Sequence, residues 1–91
     1  FQLDQNYPNP FNSSTVIRFE IINAGFVALK VYDLLGREIA TLAEVDMAPG
    51  TYLRRFDAGN LPSGIYFYRL GVTGRLTKFN TLETRKLLLL R

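Results

Sequence analysis

The 91-residue chain has no cysteine, no histidine and no tryptophan, and it has a single methionine. Without cysteine it can form neither a disulfide framework nor a thiolate nucleophile. Without histidine it lacks the commonest general base and the commonest metal ligand. No run of apolar residues is longer than four, whereas a membrane-spanning helix needs about 20. Disulfide-stabilised folds, thiol chemistry and membrane insertion are therefore not expected.

Residues suited to catalysis are also scarce. The serines Ser13, Ser14 and Ser63 have no histidine to activate them, and an unactivated hydroxyl is a poor nucleophile. The glycines fit neither a phosphate-binding loop nor a dinucleotide-binding pattern. Aromatic residues of the second half fall at strand spacing, which favours a core over a platform for stacking bases. We expect no enzymatic activity, no cofactor, no metal site and no nucleic-acid partner.

The net charge of +3 is unevenly distributed along the chain. Residues 1–50 carry three basic and six acidic side chains, whereas residues 51–91 carry eight basic and two acidic ones. Such an asymmetry can mark an electropositive binding face. It is lost in three dimensions if strands from the two halves interleave, and the sequence leaves both outcomes open.

The clearest structural signal lies in residues 61–70, LPSGIYFYRL. The Pro-Ser-Gly corner has the chemistry of a turn, because proline fixes φ and glycine tolerates positive φ. The β-branched and aromatic run that follows predicts a strand. With period two, Tyr66, Tyr68 and Leu70 share one face. A strand with aromatic residues on both faces is typical of the centre of a sheet.

Six further segments have the alternation or composition of strands. They are residues 15–22, 26–33, 37–43, 51–57, 75–79 and 84–90. Turns are expected between them, including a hairpin turn at 71–74 and an acidic connection over 44–49. In the segment 51–57, Arg54 lies between Tyr52 and Phe56. Either its guanidinium covers those rings or the strand lies at an edge.

Seven short strands with hairpin-like connections predict an all-β fold, an immunoglobulin-like antiparallel β-sandwich. A small open barrel is the alternative. We expect one domain over residues 1–91, in which residues 1–14 form an extended lead-in rich in proline and asparagine and residues 15–91 form the sandwich. We expect Tyr7 and Phe11 of the lead-in to pack their rings over the sandwich edge. A ligand for the groove of a partner is the other interpretation of this stiff segment.

Seven segments stand in a fixed order along the chain. They are QNYPNPFN at 5–12, STVIRF at 14–19, VYDLLGREIATL at 31–42, PG at 49–50, FDA at 56–58, LPSGIYFYRL at 61–70 and TRKLLLLR at 84–91. Together they resemble the type A C-terminal sorting domain of the type IX secretion system. Two positions depart from the family pattern. Ser13 replaces the usual proline, and Arg54 replaces an apolar residue, which puts the packing of the fourth predicted strand in doubt.

The resemblance implies that the chain is the last domain of a larger exported protein, whose secretory signal would lie upstream of residue 1. In the family, the parent protein crosses the periplasm, and the folded domain directs its fused N-terminal cargo through the outer-membrane translocon with shuttle components. A sortase-like peptidase commonly removes the domain, and the cargo is attached to the cell surface or released. The chain would be the substrate of that peptidase.

Recognition in the family concentrates in the last strand and in the glycine-tyrosine element before it. The residues that the resemblance marks for partner recognition are Gly64, Tyr66, Lys86, Leu87, Leu88, Leu89, Leu90 and Arg91. A partner could bind the last strand by strand addition, with Lys86 and Arg91 supplying charge complementarity. For Leu88 and Leu90 we expect burial inside the sandwich.

The alternative function is that of an immunoglobulin-like spacer or a carbohydrate-binding module of an exported enzyme. Its mark would be a flat platform of exposed aromatic rings, for which Tyr32 and Phe67 are the candidates. The fold alone does not separate the two functions, because sandwiches host many activities.

Overall fold

The computed structural model describes residues 1–74 and 80–91 of the chain. Seven strands are present in this part: β1 (Gln2–Leu3), β2 (Ser14–Ile21), β3 (Gly25–Tyr32), β4 (Glu38–Met47), β5 (Gly50–Asp57), β6 (Gly64–Gly74) and β7 (Asn80–Leu89). They form a three-stranded sheet in the order β1-β2-β5 and a four-stranded sheet in the order β4-β3-β6-β7. The pairings between these strands are all antiparallel. The predicted all-β antiparallel sandwich is confirmed.

The core lies between the two sheets and is built by the alternation expected from the sequence. Its inward-facing side chains come from both sheets and are almost fully buried, among them Ile17, Phe19, Ile21, Val27, Leu29, Val31, Tyr66, Tyr68 and Leu70. Since successive strand residues point to opposite faces, one apolar residue in two is enough to fill this layer. Each sheet contains strands from both halves of the chain, so the charge asymmetry along the sequence does not give one acidic sheet and one basic sheet.

Strand β6 is central, with β3 on one side and β7 on the other, as predicted. It is longer than expected, because residues 71–74 continue it and do not form the predicted hairpin turn. Gly71 is closely packed, since a Cβ there would lie 2.9 Å from Leu82 Cδ2. Gly74 pairs with Gly25 of β3, and a Cβ on Gly25 would lie 2.5 Å from the Thr73 carbonyl oxygen. The strand predicted at 75–79 lies outside the described residues.

Strand β4 is also longer than predicted, because the acidic connection expected over residues 44–49 is largely strand. Glu44 and Asp46 pair with Ala28 and Phe26 of β3 and are exposed, whereas Met47 is buried. Period two thus places the acidic side chains toward solvent, and the charges that suggested a loop are compatible with a strand.

Strand β5 pairs with β2 along its whole length and forms an edge of the three-stranded sheet. The Arg54 guanidinium carbon lies 6.0 Å from the centre of the Tyr52 ring. The edge explanation for Arg54 therefore holds, and its guanidinium reaches one of the two rings, that of Tyr52. The departure from the family pattern at this position leaves the strand intact.

The lead-in is attached to the sandwich through one of its two predicted anchors. Phe11 is 2% exposed, and its ring meets the Phe56 ring edge-on at 6.1 Å. The prediction for Tyr7 is wrong, because its side chain is 81% exposed. Tyr7 exchanges two backbone hydrogen bonds with Val16, an outward-facing residue of β2. Paired residues point to the same side of a sheet, so the Tyr7 ring points to solvent.

Tyr68 joins the lead-in to the centre of the core. Its ring is fully buried, and its hydroxyl donates to the Asp4 carbonyl oxygen at 2.6 Å and accepts from the Asn6 N–H at 2.9 Å. Burial raises the pKa of Tyr68 to about 12. The Asn6 side chain, itself buried, donates to Thr15 Oγ1 and to the Pro8 carbonyl oxygen. The lead-in is therefore held by a satisfied polar network inside the molecule.

We expect Tyr68→Phe to lower the free energy of unfolding by about 1–3 kcal/mol, because it leaves buried backbone groups without a partner. Tyr52→Phe is the matched control, since its hydroxyl donates to the Ala48 carbonyl oxygen in an exposed position where water can replace it. Urea denaturation followed by circular dichroism measures both. Equal losses in the two variants would contradict the role given to Tyr68.

Candidate recognition site

The predicted recognition residues lie together where β6 begins and β7 ends. Gly64 pairs with Leu89, and Tyr66 pairs with Leu87. Gly64 has φ of +156°, and no atom lies within 4 Å of a Cβ added to it, so its backbone conformation and not lack of space favours glycine here. The Tyr66 hydroxyl donates to the Pro62 carbonyl oxygen at 2.7 Å, which closes the corner before the strand.

The four leucines at positions 87–90 alternate between the core and the surface. Leu87 and Leu89 are fully buried, whereas Leu88 is half-buried and Leu90 is 51% exposed. The expectation that Leu88 and Leu90 are buried inside the sandwich is wrong. Pairing with the core residue Tyr66 places Leu87 on the inward face, and a shift of one residue exchanges the two faces of a strand.

The lead-in covers the outer edge of this part of β7. The Phe11 N–H donates to the Leu88 carbonyl oxygen, and the Leu90 N–H donates to the Phe11 carbonyl oxygen, at 3.0 and 2.9 Å. The Leu88 N–H donates to Asn9 Oδ1, and Gln5 Nε2 donates to the Lys86 carbonyl oxygen. The backbone groups that a partner strand would need between Lys86 and Leu90 are thus largely occupied.

The two charged residues of the tail differ in their surroundings. Lys86 is exposed, lies opposite Phe67, and has no side-chain partner within the part of the chain that the structure describes. Arg91 is exposed too, but its guanidinium donates to the carbonyl oxygens of Leu61 and Gly59, and its backbone N–H donates to Ser63 Oγ at 2.9 Å. Lys86 is free to meet a partner, whereas Arg91 fixes the chain end against the loop before β6.

The candidate carbohydrate platform is not an open aromatic surface. Tyr32 and Phe67 are both half-buried, and the Arg69 guanidinium carbon lies 5.0 Å from the centre of the Tyr32 ring. A sugar ring stacks on an aromatic face, and this guanidinium already covers one face of Tyr32.

The described residues also contain no group of three or more metal-ligating side chains and no helix able to cross a membrane.

A family model for the secretion system C-terminal sorting domain matches residues 5–83. The chain belongs to this family. The sorting domain is a non-catalytic module that carries a sorting signal for type IX secretion, and the protein that contains it is exported to the cell surface or the extracellular space. Comparison with curated proteins and with solved structures found no match.

The match bears differently on the two parts of the predicted site. Gly64 and Tyr66 lie within the matched residues, whereas Lys86 and the residues that follow it lie beyond them. The contribution of each of these side chains to partner recognition stays a prediction.

Three polar residues that support the tail of the sorting domain were not singled out from the sequence. They are Gln5, Asn9 and Ser63, whose side chains bond to the backbone of β7 or of Arg91. The only signal was that Asn9 lies between two prolines and Ser63 between a proline and a glycine, which suggested turn chemistry. A side-chain bond between residues 79 positions apart, such as that of Asn9 to Leu88, leaves no local pattern.

Because Leu87 is buried and Leu90 is half exposed, we expect their truncation to alanine to lower the free energy of unfolding by different amounts. We expect Leu87→Ala to lower the free energy of unfolding by about 2–5 kcal/mol, because it opens a cavity in the core. Leu90→Ala is expected to cost less than about 1 kcal/mol, because half of that side chain already meets solvent. Denaturant unfolding of the two variants measures the difference, and the reverse order of costs would contradict this register.

Proposed function

We propose that the sorting domain is the C-terminal part of a larger exported protein and directs its N-terminal cargo through the outer-membrane translocon after transit through the periplasm. In this proposal a sortase-like peptidase removes the domain and the cargo is attached to the cell surface or released. The observation that carries the proposal is the family match, which spans both sheets and extends from the lead-in into β7.

The packing of the lead-in indicates where such a peptidase would act. A peptidase needs an extended and accessible segment. Leu3 is buried in the core, and Asp4, Asn6 and Phe11 are tied to the sandwich by backbone hydrogen bonds. We therefore infer that the cleaved bond lies N-terminal to β1, so that removal leaves the sandwich whole.

The covered edge of β7 also bears on how a partner would recognise the tail. Strand addition between Lys86 and Leu90 would require the lead-in to leave. Side-chain recognition requires no such change, and Lys86, Leu88 and Leu90 all point away from the core. We therefore infer that secretion components recognise the outward side chains of the tail, with the ammonium group of Lys86 as the charged contact.

The proposal is tested with a reporter protein that has a secretory signal at its start and this chain at its end, expressed in a bacterium with a type IX system. Deletion of residues 84–91 is expected to leave the reporter in the periplasm. Because that deletion also removes the buried Leu87 and Leu89, Lys86→Gln is the sharper variant. Loss of one charged contact is expected to lower the secreted amount about tenfold.

Arg55→Gln is the matched control for Lys86→Gln. It removes one positive charge from an exposed residue of the other sheet, where the pair with Asp57 is also exposed. Immunoblots of periplasm, cell surface and medium give the distribution of the reporter. Normal secretion of the deletion variant would contradict the proposal, and normal secretion of Lys86→Gln alone would remove Lys86 from the site.

A further inference from the structure

One end of the sandwich displays two leucines that the core does not use. Leu34 and Leu35 are 68% and 78% exposed, and they lie in residues 33–37, named here the leucine turn. Turns usually carry small or polar residues at their tips. Single exposed leucines are common on protein surfaces. Two features distinguish this pair. Hydrogen bonds hold the turn in one conformation, and two depressions lie beside it in the surface.

The leucine turn is held rigidly by Asp33. Its carboxylate accepts hydrogen bonds from the backbone N–H groups of Leu35 and Arg37, both at 2.9 Å, and from Arg37 Nε at 2.7 Å. These donors hold the pKa of Asp33 below its ordinary value. Gly36 has φ of +82° and donates to the Asp33 carbonyl oxygen. The two leucines are therefore presented on a fixed backbone, which reduces the ordering cost of binding.

Two hollows flank the leucine turn. One, of about 310 Å³, is lined by the turn together with Tyr32, Phe67 and Arg69. The other, of about 240 Å³, lies between the turn and residues 63–66. Asp33 and Leu34 line both, so the wall between the two depressions carries the exposed Leu34 side chain. This relief is suited to receive protruding side chains of a partner.

The charged groups around this surface are mostly basic. The Asp33 carboxylate is paired with Arg37 and that of Glu38 with Lys30, so these two ion pairs add no net charge. Arg69 lines the larger hollow, and Lys86 lies opposite Phe67 in the strand register, so these two side chains supply the positive charge. The surface is therefore complementary to apolar groups accompanied by carboxylates.

We propose that the leucine turn and the two hollows are a docking surface for an acidic, apolar segment of a protein of the secretion machinery. Apolar side chains of the segment fill the hollows on either side of Leu34, and its carboxylates meet Arg69 and Lys86. This inference rests on the proposed function. An anionic membrane would contact the two leucines but would leave the hollows unfilled, so the relief favours a protein segment.

The test uses the reporter fusion with Leu34→Asn and Leu35→Asn combined. Asparagine is well tolerated in turns, so the fold is expected to persist. The matched control is Leu53→Asn, because Leu53 is 60% exposed on β5 of the other sheet. We expect the double variant to lower the secreted amount about tenfold or more, as removal of an apolar anchor does. The control is expected to be secreted like the parent.

A charge reversal provides a second, independent variant. Arg69→Glu is expected to lower secretion in the same way, whereas Arg55→Glu on the other sheet is not. Denaturation midpoints of the purified fusions show whether each variant is folded. If the double variant unfolds, the test relies on Leu35→Asn alone and on Arg69→Glu. Normal secretion of both of these variants overturns the proposal.

Two further outcomes separate this inference from its alternatives. If deletion of residues 84–91 blocks secretion while the folded leucine and Arg69 variants are secreted like the parent, the docking surface is wrong and the sorting function stands. If the deletion variant is also secreted normally, the proposed function itself fails. Sedimentation of the fusion with phosphatidylglycerol vesicles that depends on Leu34 and Leu35 would overturn the protein partner in favour of a membrane.

Discussion

The start of the chain closes the edge of the last strand, and the structure of the tail depends on this contact. Phe11 places its ring in the core and its backbone beside Leu88 and Leu90, so one residue supplies both apolar packing and two hydrogen bonds. Tyr68 holds the preceding part of the lead-in through Asp4 and Asn6. An uncovered edge this apolar would invite pairing with other chains. The lead-in instead makes the tail part of one folded unit.

Within this short segment, residues that support the fold alternate with residues that face solvent. Leu87 and Leu89 fill the core, and Arg91 anchors the chain end, so these residues are required for the fold whatever partner is present. Lys86 and Leu90 point outward and contribute little packing. The outward side chains are positioned by pairing with β6, so a partner that binds them, as proposed, would require the assembled sandwich.

Much of the fold could be predicted from the sequence where polar and apolar residues alternate. Strands β2 and β3 have one apolar face each, and those faces are the core. The run of four leucines has no alternation, so nothing local distinguishes Leu87 from Leu88, and only long-range pairing with Tyr66 decides between them. Gly71 and Gly74 suggested a turn, but Gly71 packs closely against Leu82 inside the sheet, and close packing and turn chemistry select the same residue. The hydrogen bond from the Leu88 N–H to Asn9 Oδ1 at the edge of β7 joins residues far apart in the chain, so no local sequence pattern predicts it.

Amide hydrogen exchange tests most directly whether the lead-in closes the edge of β7. The N–H groups of Leu88 and Leu90 point away from β6 and are bonded to the lead-in, whereas that of Thr84 points the same way and has no partner within residues 1–74 and 80–91. We expect strong protection of Leu88 and Leu90, fast exchange of Thr84, and loss of protection at Leu88 in Asn9→Ala. Exchange of Leu88 and Leu90 as fast as that of Thr84 would contradict the account.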